Sequence, residues 1–180
     1  MTTWTHEPTI ADEARASAVG YLRNERYMLA PEANRSYSEG AIWEEWQHKI
    51  GALAEISFAA MLGIKDFLPS VNTHKGEPDV GDWEVRYGFS QDNGLPPTHL
   101  RLVGSVDSLS SPYVLVVGGS EKRVKRSAVN DYKAPEMIAV GWTWGNEVAT
   151  EKYFSGTNTK GKPIYLIPIS DLRSMSEIAL

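Results

Sequence analysis

The segment Glu77–Gly88, EPDVGDWEVRYG, has the residue types for metal chemistry, because it carries four acidic residues and one arginine. Its glycine-aspartate pair at positions 81–82 predicts a tight turn, and Trp83–Tyr87 predicts the strand that follows. If Asp79 ends the element before the turn, its carboxylate lies within a few ångströms of that of Glu84. Two carboxylates so close repel each other and raise one pKa unless a cation lies between them.

A divalent metal ion would relieve this repulsion. Hard cations such as Mg²⁺ take oxygen ligands, and the candidates are Asp79, Glu84 and the carbonyl of Val85. Alternate residues of a strand share a face, so Arg86 is expected beside Glu84, where it would stabilise charge on a phosphate or on an attacking water. Trp83 and Val85 are expected to face the core. The plain alternative is an unrelated α+β interaction protein, in which the hairpin is a surface turn with a solvated Glu84–Arg86 ion pair.

The order Pro78-Asp79, four residues, then Glu84-Val85-Arg86 resembles the motif of the PD-(D/E)XK nuclease superfamily. The resemblance implies that Asp79 and Glu84 bind Mg²⁺ or Mn²⁺ and that the chain hydrolyses phosphodiester bonds in DNA. Arg86 stands where the family usually has lysine. A guanidinium stays charged, so it keeps the electrostatic role but cannot accept a proton. The alternative is a nuclease-fold module that binds DNA or a protein partner with weak or no catalysis.

Glu55 is the candidate for a further feature of the same family, a glutamate on a helix N-terminal to the hairpin. Its neighbours one turn away are apolar and mostly small: Gly51, Ala52, Phe58 and Ala59. Such surroundings are uncommon for a solvated helix face, and small side chains let a substrate approach closely. Glu55 is therefore predicted to be an additional metal or water ligand. The alternative is an exposed glutamate on an amphipathic helix.

A basic segment follows one of the predicted strands. It contains Lys122, Arg123, Lys125 and Arg126, in a chain whose net charge is −5. Such clusters attract phosphates, and each neutralised contact releases counterions. The segment is predicted to bind DNA, with a merely solvated loop as the alternative.

Composition limits the remaining possibilities. A chain of 180 residues, 42% of them apolar, is long enough to form one globular domain around its own core. The absence of cysteine excludes disulfides, thiolate zinc sites and a cysteine nucleophile. The N-terminal residues lack the pattern of a signal peptide, and no apolar run approaches the roughly 20 residues of a membrane span. We expect a cytoplasmic protein without a membrane partner.

Hydrophobic periodicity predicts helices first and strands afterwards. Helices are expected over Pro8–Leu29 and about Ser38–Gly63, and a short helix in the C-terminal tail. Five strands are predicted in DVGDWEVRYG, HLRLVGSV, PYVLVVGG, EMIAVGWTW and PIYLIPI. This order predicts an α/β or α+β domain with helices packed on a mostly antiparallel or mixed sheet. Of the two classes we expect an α/β fold with a mixed central β-sheet flanked by helices.

The family resemblance implies that this fold has a restriction-endonuclease-like core. The strand-rich second half is similar in layout to nuclease-like proteins of bacterial viruses and mobile elements. If the chain is phage-encoded, its compartment is the cytoplasm of the bacterial host cell. The sequence leaves open a homodimer in which two subunits act together.

Overall fold

The computed structural model describes residues 1–29, 39–71, 77–88, 98–104, 109–118, 136–158 and 160–178. Two long helices, α1 (Ile10–Leu29) and α2 (Glu39–Met61), confirm the two helices predicted from periodicity. The strands are β1 (Trp4–His6), β2 (Glu84–Gly88), β3 (His99–Val103), β4 (Pro112–Gly118), β5 (Met137–Trp144), β6 (Phe154–Thr157) and β7 (Pro163–Pro168). A short helix α3 (Gly145–Val148) follows β5. All five predicted strands are present, while β1 and β6 were not predicted.

A capping box begins α1. The Thr9 hydroxyl accepts a hydrogen bond from the backbone N–H of Asp12 at 3.2 Å, and the Asp12 carboxylate accepts from the backbone N–H of Thr9 at 2.8 Å. Burial raises the pKa of Asp12, but its hydrogen bonds from Thr9, Arg15 and His6 outweigh burial and hold it at about 2. Thr9 is therefore the N-cap residue of α1.

Helix α2 is buried on all sides over residues 52–59, a stretch that is apolar except for Glu55 and Ser57. It lies between α1 and the sheet. The close contact with α1 depends on Gly20, since a Cβ atom there would lie 2.7 Å from the backbone of Lys49. The missing side chain lets the two helices approach each other.

The strands form two sheets, not the single central sheet that was expected. The larger sheet is mixed and has the order β1-β5-β4-β2, with β2 parallel to β4 and the other pairs antiparallel. The smaller sheet is antiparallel, with the order β3-β7-β6. The α/β class is confirmed, with a different arrangement of layers.

The position of β4 explains the second sheet. All seven of its residues are buried, which is typical of a strand covered on both faces. Val114 and Val116 pack toward the helices, whereas Tyr113, Leu115 and Val117 belong to a second apolar cluster shared with the smaller sheet. Helices therefore cover one face of the larger sheet, and the smaller sheet covers the other.

The predicted final helix is wrong. The tail instead forms two 3-10 turns, Ile169–Asp171 and Met175–Glu177, separated by an extended segment. Arg173 in that segment pairs with Trp142 of β5 through two backbone hydrogen bonds of 2.8 and 3.1 Å, which a continuous helix could not make.

Among the described residues, no helix combines the length and apolar character needed to cross a membrane.

Candidate functional site

The acidic segment folds as a tight hairpin at the start of β2. The backbones of Val80 and Trp83 exchange two hydrogen bonds of 3.0 and 2.9 Å, which leaves residues 81–82 as the turn. Gly81 has φ +58°, a value that favours glycine at the first central position of such a turn. Asp79 and Glu84 lie one position beyond the paired residues, opposite each other. The predicted turn is confirmed, although the residues before it form no strand.

Asp79 is fixed against the outer edge of β2. Its Oδ2 atom accepts a hydrogen bond of 2.8 Å from the backbone N–H of Val85. In the described part of the chain, β2 is the last strand of the larger sheet. Because the Val85 N–H donates to Asp79, it lies on the side of β2 away from β4. A side-chain carboxylate thus takes the place that a further strand would occupy.

The predicted division of faces along β2 is confirmed. Glu84 and Arg86 are in register with Tyr113 and Leu115 of β4 and share their face, whereas Val85 is 7% exposed and packs in the helix-side core. The guanidinium of Arg86 lies over the Tyr113 ring, 5.1 Å from its centroid. The aromatic ring supports the guanidinium through a cation–π contact.

Arg86 contacts three of the four groups that were predicted as metal ligands, and Glu55 is the one it does not contact in this way. One terminal nitrogen lies 3.4 Å from Asp79 Oδ2 and 3.2 Å from the carbonyl oxygen of Val85. The other lies 3.3 Å from Glu84 Oε2. The two carboxylates and the carbonyl converge on one cation, and that cation is the guanidinium of Arg86.

These contacts are long for charge-assisted hydrogen bonds, which usually measure about 2.7–2.9 Å. Two other arginines of this chain form shorter ion pairs. Arg23 binds Glu55 through two nitrogens at 2.8 and 2.9 Å, and one nitrogen of Arg173 contacts both Glu147 oxygens at 2.7 and 2.8 Å. The contacts of Arg86 with Asp79, Glu84 and the Val85 carbonyl are all longer than these.

Glu55 is buried, at 5% exposure, and is not on a solvated helix face. Both of its carboxylate oxygens accept from Arg23 of α1, which is 8% exposed. Arg23 also donates through Nε to the carbonyl of Ser70 at 2.8 Å. One guanidinium therefore ties α1, α2 and the segment after α2 together.

The electrostatics connect Glu55 to the hairpin. Burial raises the pKa of Glu55 to about 7, because the loss of hydration outweighs the opposing effect of Arg23. The charge of Asp79 raises this pKa further, and the charge of Arg86 lowers it. The charges of Asp79 and Arg86 therefore act on Glu55, while both of its oxygens are bound by Arg23.

The donors of this site are oxygen atoms, two groups of which are negatively charged, and hard divalent cations bind such donors. Asp79, Glu84 and the Val85 carbonyl offer oxygen atoms around a positive group, and Mg²⁺ is commonly bound by one or two carboxylates plus waters. The Asp79 and Glu84 side chains are 26% and 13% exposed, so water reaches them. Within the described ranges, no three histidine, aspartate or glutamate side chains form a metal-binding group by themselves. The carbonyl and waters would have to complete the coordination.

Arg23 is the site residue that sequence reasoning missed. It lies 32 residues from Glu55, and no local spacing pairs an arginine on one helix with a glutamate on the next. The apolar surroundings of Glu55 were the available signal, because a buried carboxylate requires a partner.

The predicted DNA-binding residues Lys122, Arg123, Lys125 and Arg126 lie outside the described residues.

Comparisons of this chain with protein-family models, with curated proteins and with solved structures found no match.

Proposed function

We propose that this protein is a metal-dependent deoxyribonuclease of the PD-(D/E)XK type, with a restriction-endonuclease-like core. The observation that carries the proposal is the convergence of Asp79, Glu84 and the Val85 carbonyl on one cation at the outer edge of β2. A surface turn accounts for the Glu84–Arg86 ion pair, but it does not require Asp79 and the Val85 carbonyl to contact the same guanidinium. Glu55 belongs to the proposal as the buried carboxylate on which the charges of Asp79 and Arg86 act, although Arg23 binds both of its oxygens.

The residues have distinct roles in this proposal. Asp79, Glu84 and Val85 hold Mg²⁺ or Mn²⁺ through oxygen, and Glu55 is the candidate for a further metal or water ligand. When bound, the ion supplies Lewis acidity and lowers the pKa of an attacking water. Arg86 donates to the phosphate oxygens as negative charge develops on them. It does not take the proton from water, because a guanidinium stays protonated.

DNA is the proposed substrate on the strength of the family resemblance and the basic segment. Lys122, Arg123, Lys125 and Arg126 would contact backbone phosphates beyond the cleaved bond. The protein would then act in the cytoplasm, in the bacterial host cell if it is phage-encoded. A homodimer would place two such sites on one duplex.

A second candidate is a nuclease-fold module that binds DNA or a protein partner without cleaving. The observation that favours it is that Arg86 already contacts Asp79, Glu84 and the Val85 carbonyl, so one of the two negative charges is offset without a metal ion. Under this proposal Arg86 is a permanent structural replacement for the ion.

Cleavage assays distinguish the two candidates. The wild type, Asp79→Asn and Glu84→Gln are incubated with linear, circular and branched DNA in Mg²⁺, Mn²⁺ or EDTA. Glu147→Gln is the matched control, because it neutralises the acid of a surface ion pair outside the hairpin. The nuclease proposal predicts cleavage by the wild type and the control, and loss of at least about a hundredfold in both hairpin variants.

Cleavage that persists in EDTA or in either hairpin variant would contradict the proposed site. If no variant cleaves, while salt-sensitive DNA binding is weakened by neutralising Lys122 and Arg123, the binding module is the correct reading.

A further inference from the structure

The contacts of Arg86 bear on how the proposed site would acquire its metal ion, so this inference rests on the proposed function. The guanidinium and a divalent ion require the same oxygen atoms: Asp79 Oδ2, Glu84 Oε2 and the Val85 carbonyl. The nitrogen-to-oxygen distances are 3.2–3.4 Å, whereas Mg²⁺ holds its ligands at about 2.0–2.1 Å. The ion cannot bind all three oxygens at that distance while the guanidinium remains among them.

We infer that Arg86 and the divalent ion compete for these oxygens, so that Arg86 determines the metal affinity of the site. Binding of the ion would displace the guanidinium from Asp79, Glu84 and the Val85 carbonyl. The displaced group is then the donor available to a phosphate bound at the ion. One residue thus opposes metal binding and assists the chemistry that follows.

The geometry of Arg86 makes displacement feasible. Its contacts with Asp79 and Glu84 are about half an ångström longer than the Arg23–Glu55 and Arg173–Glu147 contacts in the same chain. Its side chain is 29% exposed, which gives the guanidinium access to water outside the cluster. Partly exposed ion pairs of loose geometry contribute little free energy, typically below about 1 kcal/mol. Direct coordination of a divalent ion by Asp79 and Glu84 would therefore replace only a weak pairing of these carboxylates with Arg86.

The test measures Mn²⁺ binding by calorimetry without DNA, so its readout does not depend on cleavage. Arg86→Gln removes the competitor and should bind Mn²⁺ about three- to fivefold more tightly than the wild type, the gain that corresponds to a pairing worth a little under about 1 kcal/mol. Arg86→Lys keeps the charge but lacks the planar fork, so its affinity should lie between the two. Asp79→Asn should bind much more weakly.

Arg173→Gln is the matched control. Arg173 also forms an ion pair and lies over an aromatic ring, that of Trp142 at 4.8 Å, but its acid is Glu147 and not a hairpin residue. This variant has the same net charge as Arg86→Gln, so it corrects for long-range electrostatics. Its Mn²⁺ affinity should stay within about twofold of the wild type. Circular dichroism and the unfolding midpoint in EDTA check that each variant is folded.

Each outcome decides a different point. If Mn²⁺ binds in a way that needs Asp79, but Arg86→Gln binds no more tightly than Arg173→Gln, competition is wrong and the proposed metal site stands. If the wild type binds no Mn²⁺, or Asp79→Asn binds it equally well, both the proposed site and the competition are wrong. With saturating Mn²⁺, Arg86→Gln should combine tighter binding with slower DNA cleavage, a split that a purely structural role would not produce.

Discussion

Replacing Arg23 with methionine should destabilise the protein strongly, because it leaves the buried carboxylate of Glu55 without its counter-charge. Methionine keeps the length and the apolar stem of the side chain but removes the donors to Glu55 and to the Ser70 carbonyl. The Arg23 and Glu55 side chains are only 10% and 7% exposed. Removing one partner of a pair buried to this degree costs roughly 3–5 kcal/mol.

The loss should depend on pH in a defined direction. The pKa of Glu55 is raised from 4.5 to about 7, so the folded state holds this proton more tightly than the unfolded state. The associated stability is complete below about pH 4.5 and is lost as pH rises through about 7. Without Arg23 the pKa rises further, so Arg23→Met should lose more stability at about pH 8 than at about pH 5.5.

The assay is urea unfolding followed by tryptophan fluorescence at the two pH values. For a domain of this size, a loss of 3–5 kcal/mol also lowers the thermal midpoint by roughly 6–20 °C. Glu147→Gln is the comparison, because it breaks the Arg173–Glu147 ion pair. The nitrogen-to-oxygen distances of that pair are nearly equal to those of Arg23–Glu55, but its side chains are 38% and 45% exposed. That variant should lose less than about 1 kcal/mol. Adding Glu55→Gln to Arg23→Met should restore much of the loss, because the buried charge is gone.

A loss below about 1 kcal/mol in Arg23→Met, equal to that of Glu147→Gln, would refute the assignment of a buried ion pair. So would a loss that is the same at both pH values and that Glu55→Gln does not reduce. Either result would mean that Glu55 has water or another donor beside it in solution.

Two further predictions concern the helices that carry this pair. Gly20→Ala should lower the free energy of unfolding in urea by about 1–3 kcal/mol, because its new Cβ would meet the Lys49 backbone at 2.7 Å. Gly51 has open space around it, so Gly51→Ala should raise the free energy of unfolding by about 0.5–1 kcal/mol. Equal effects of the two alanines would contradict the close helix contact. The pKa of Asp12, held at about 2 against an ordinary 3.8, gives on the order of 2 kcal/mol of stability above about pH 4 that is lost as pH falls toward 2. Asp12→Asn should therefore flatten the acid limb of the stability curve, and an unchanged limb would show that Thr9 does not hold the carboxylate ionised.

Local patterns in the sequence were sufficient to predict the secondary structure that lies in long or strongly apolar segments. Both helices and five strands followed from periodicity, and the faces of Glu84 and Arg86 followed from alternation along β2. β1 and β6 are three and four residues long, and Gly156 within β6 has φ +122°, so neither offers a readable alternation.

Features that depend on distant pairing could not be predicted in the same way. The continuous apolar run of β4 was consistent with burial on both faces, but the sequence does not say whether helices or a second sheet supply the cover. The closeness of Asp79 and Glu84 was predictable because a two-residue turn fixes their positions. The Arg23–Glu55 pair was not, since it arises from the packing of two separate helices.

The tryptophan of the acidic hairpin can report on the position of the hairpin by circular dichroism, because a second tryptophan lies close to it. Trp83 lies within the hairpin, and its ring centroid is 5.4 Å from that of Trp142 with the planes at 76°. Two indoles at this distance and angle couple their electronic transitions, so circular dichroism contains a signal that depends on their mutual orientation. A shift of the hairpin against β5 by even a fraction of an ångström would change that signal. If the proposed metal ion binds at Asp79 and Glu84 and moves the hairpin, the unmodified chain would report it by circular dichroism.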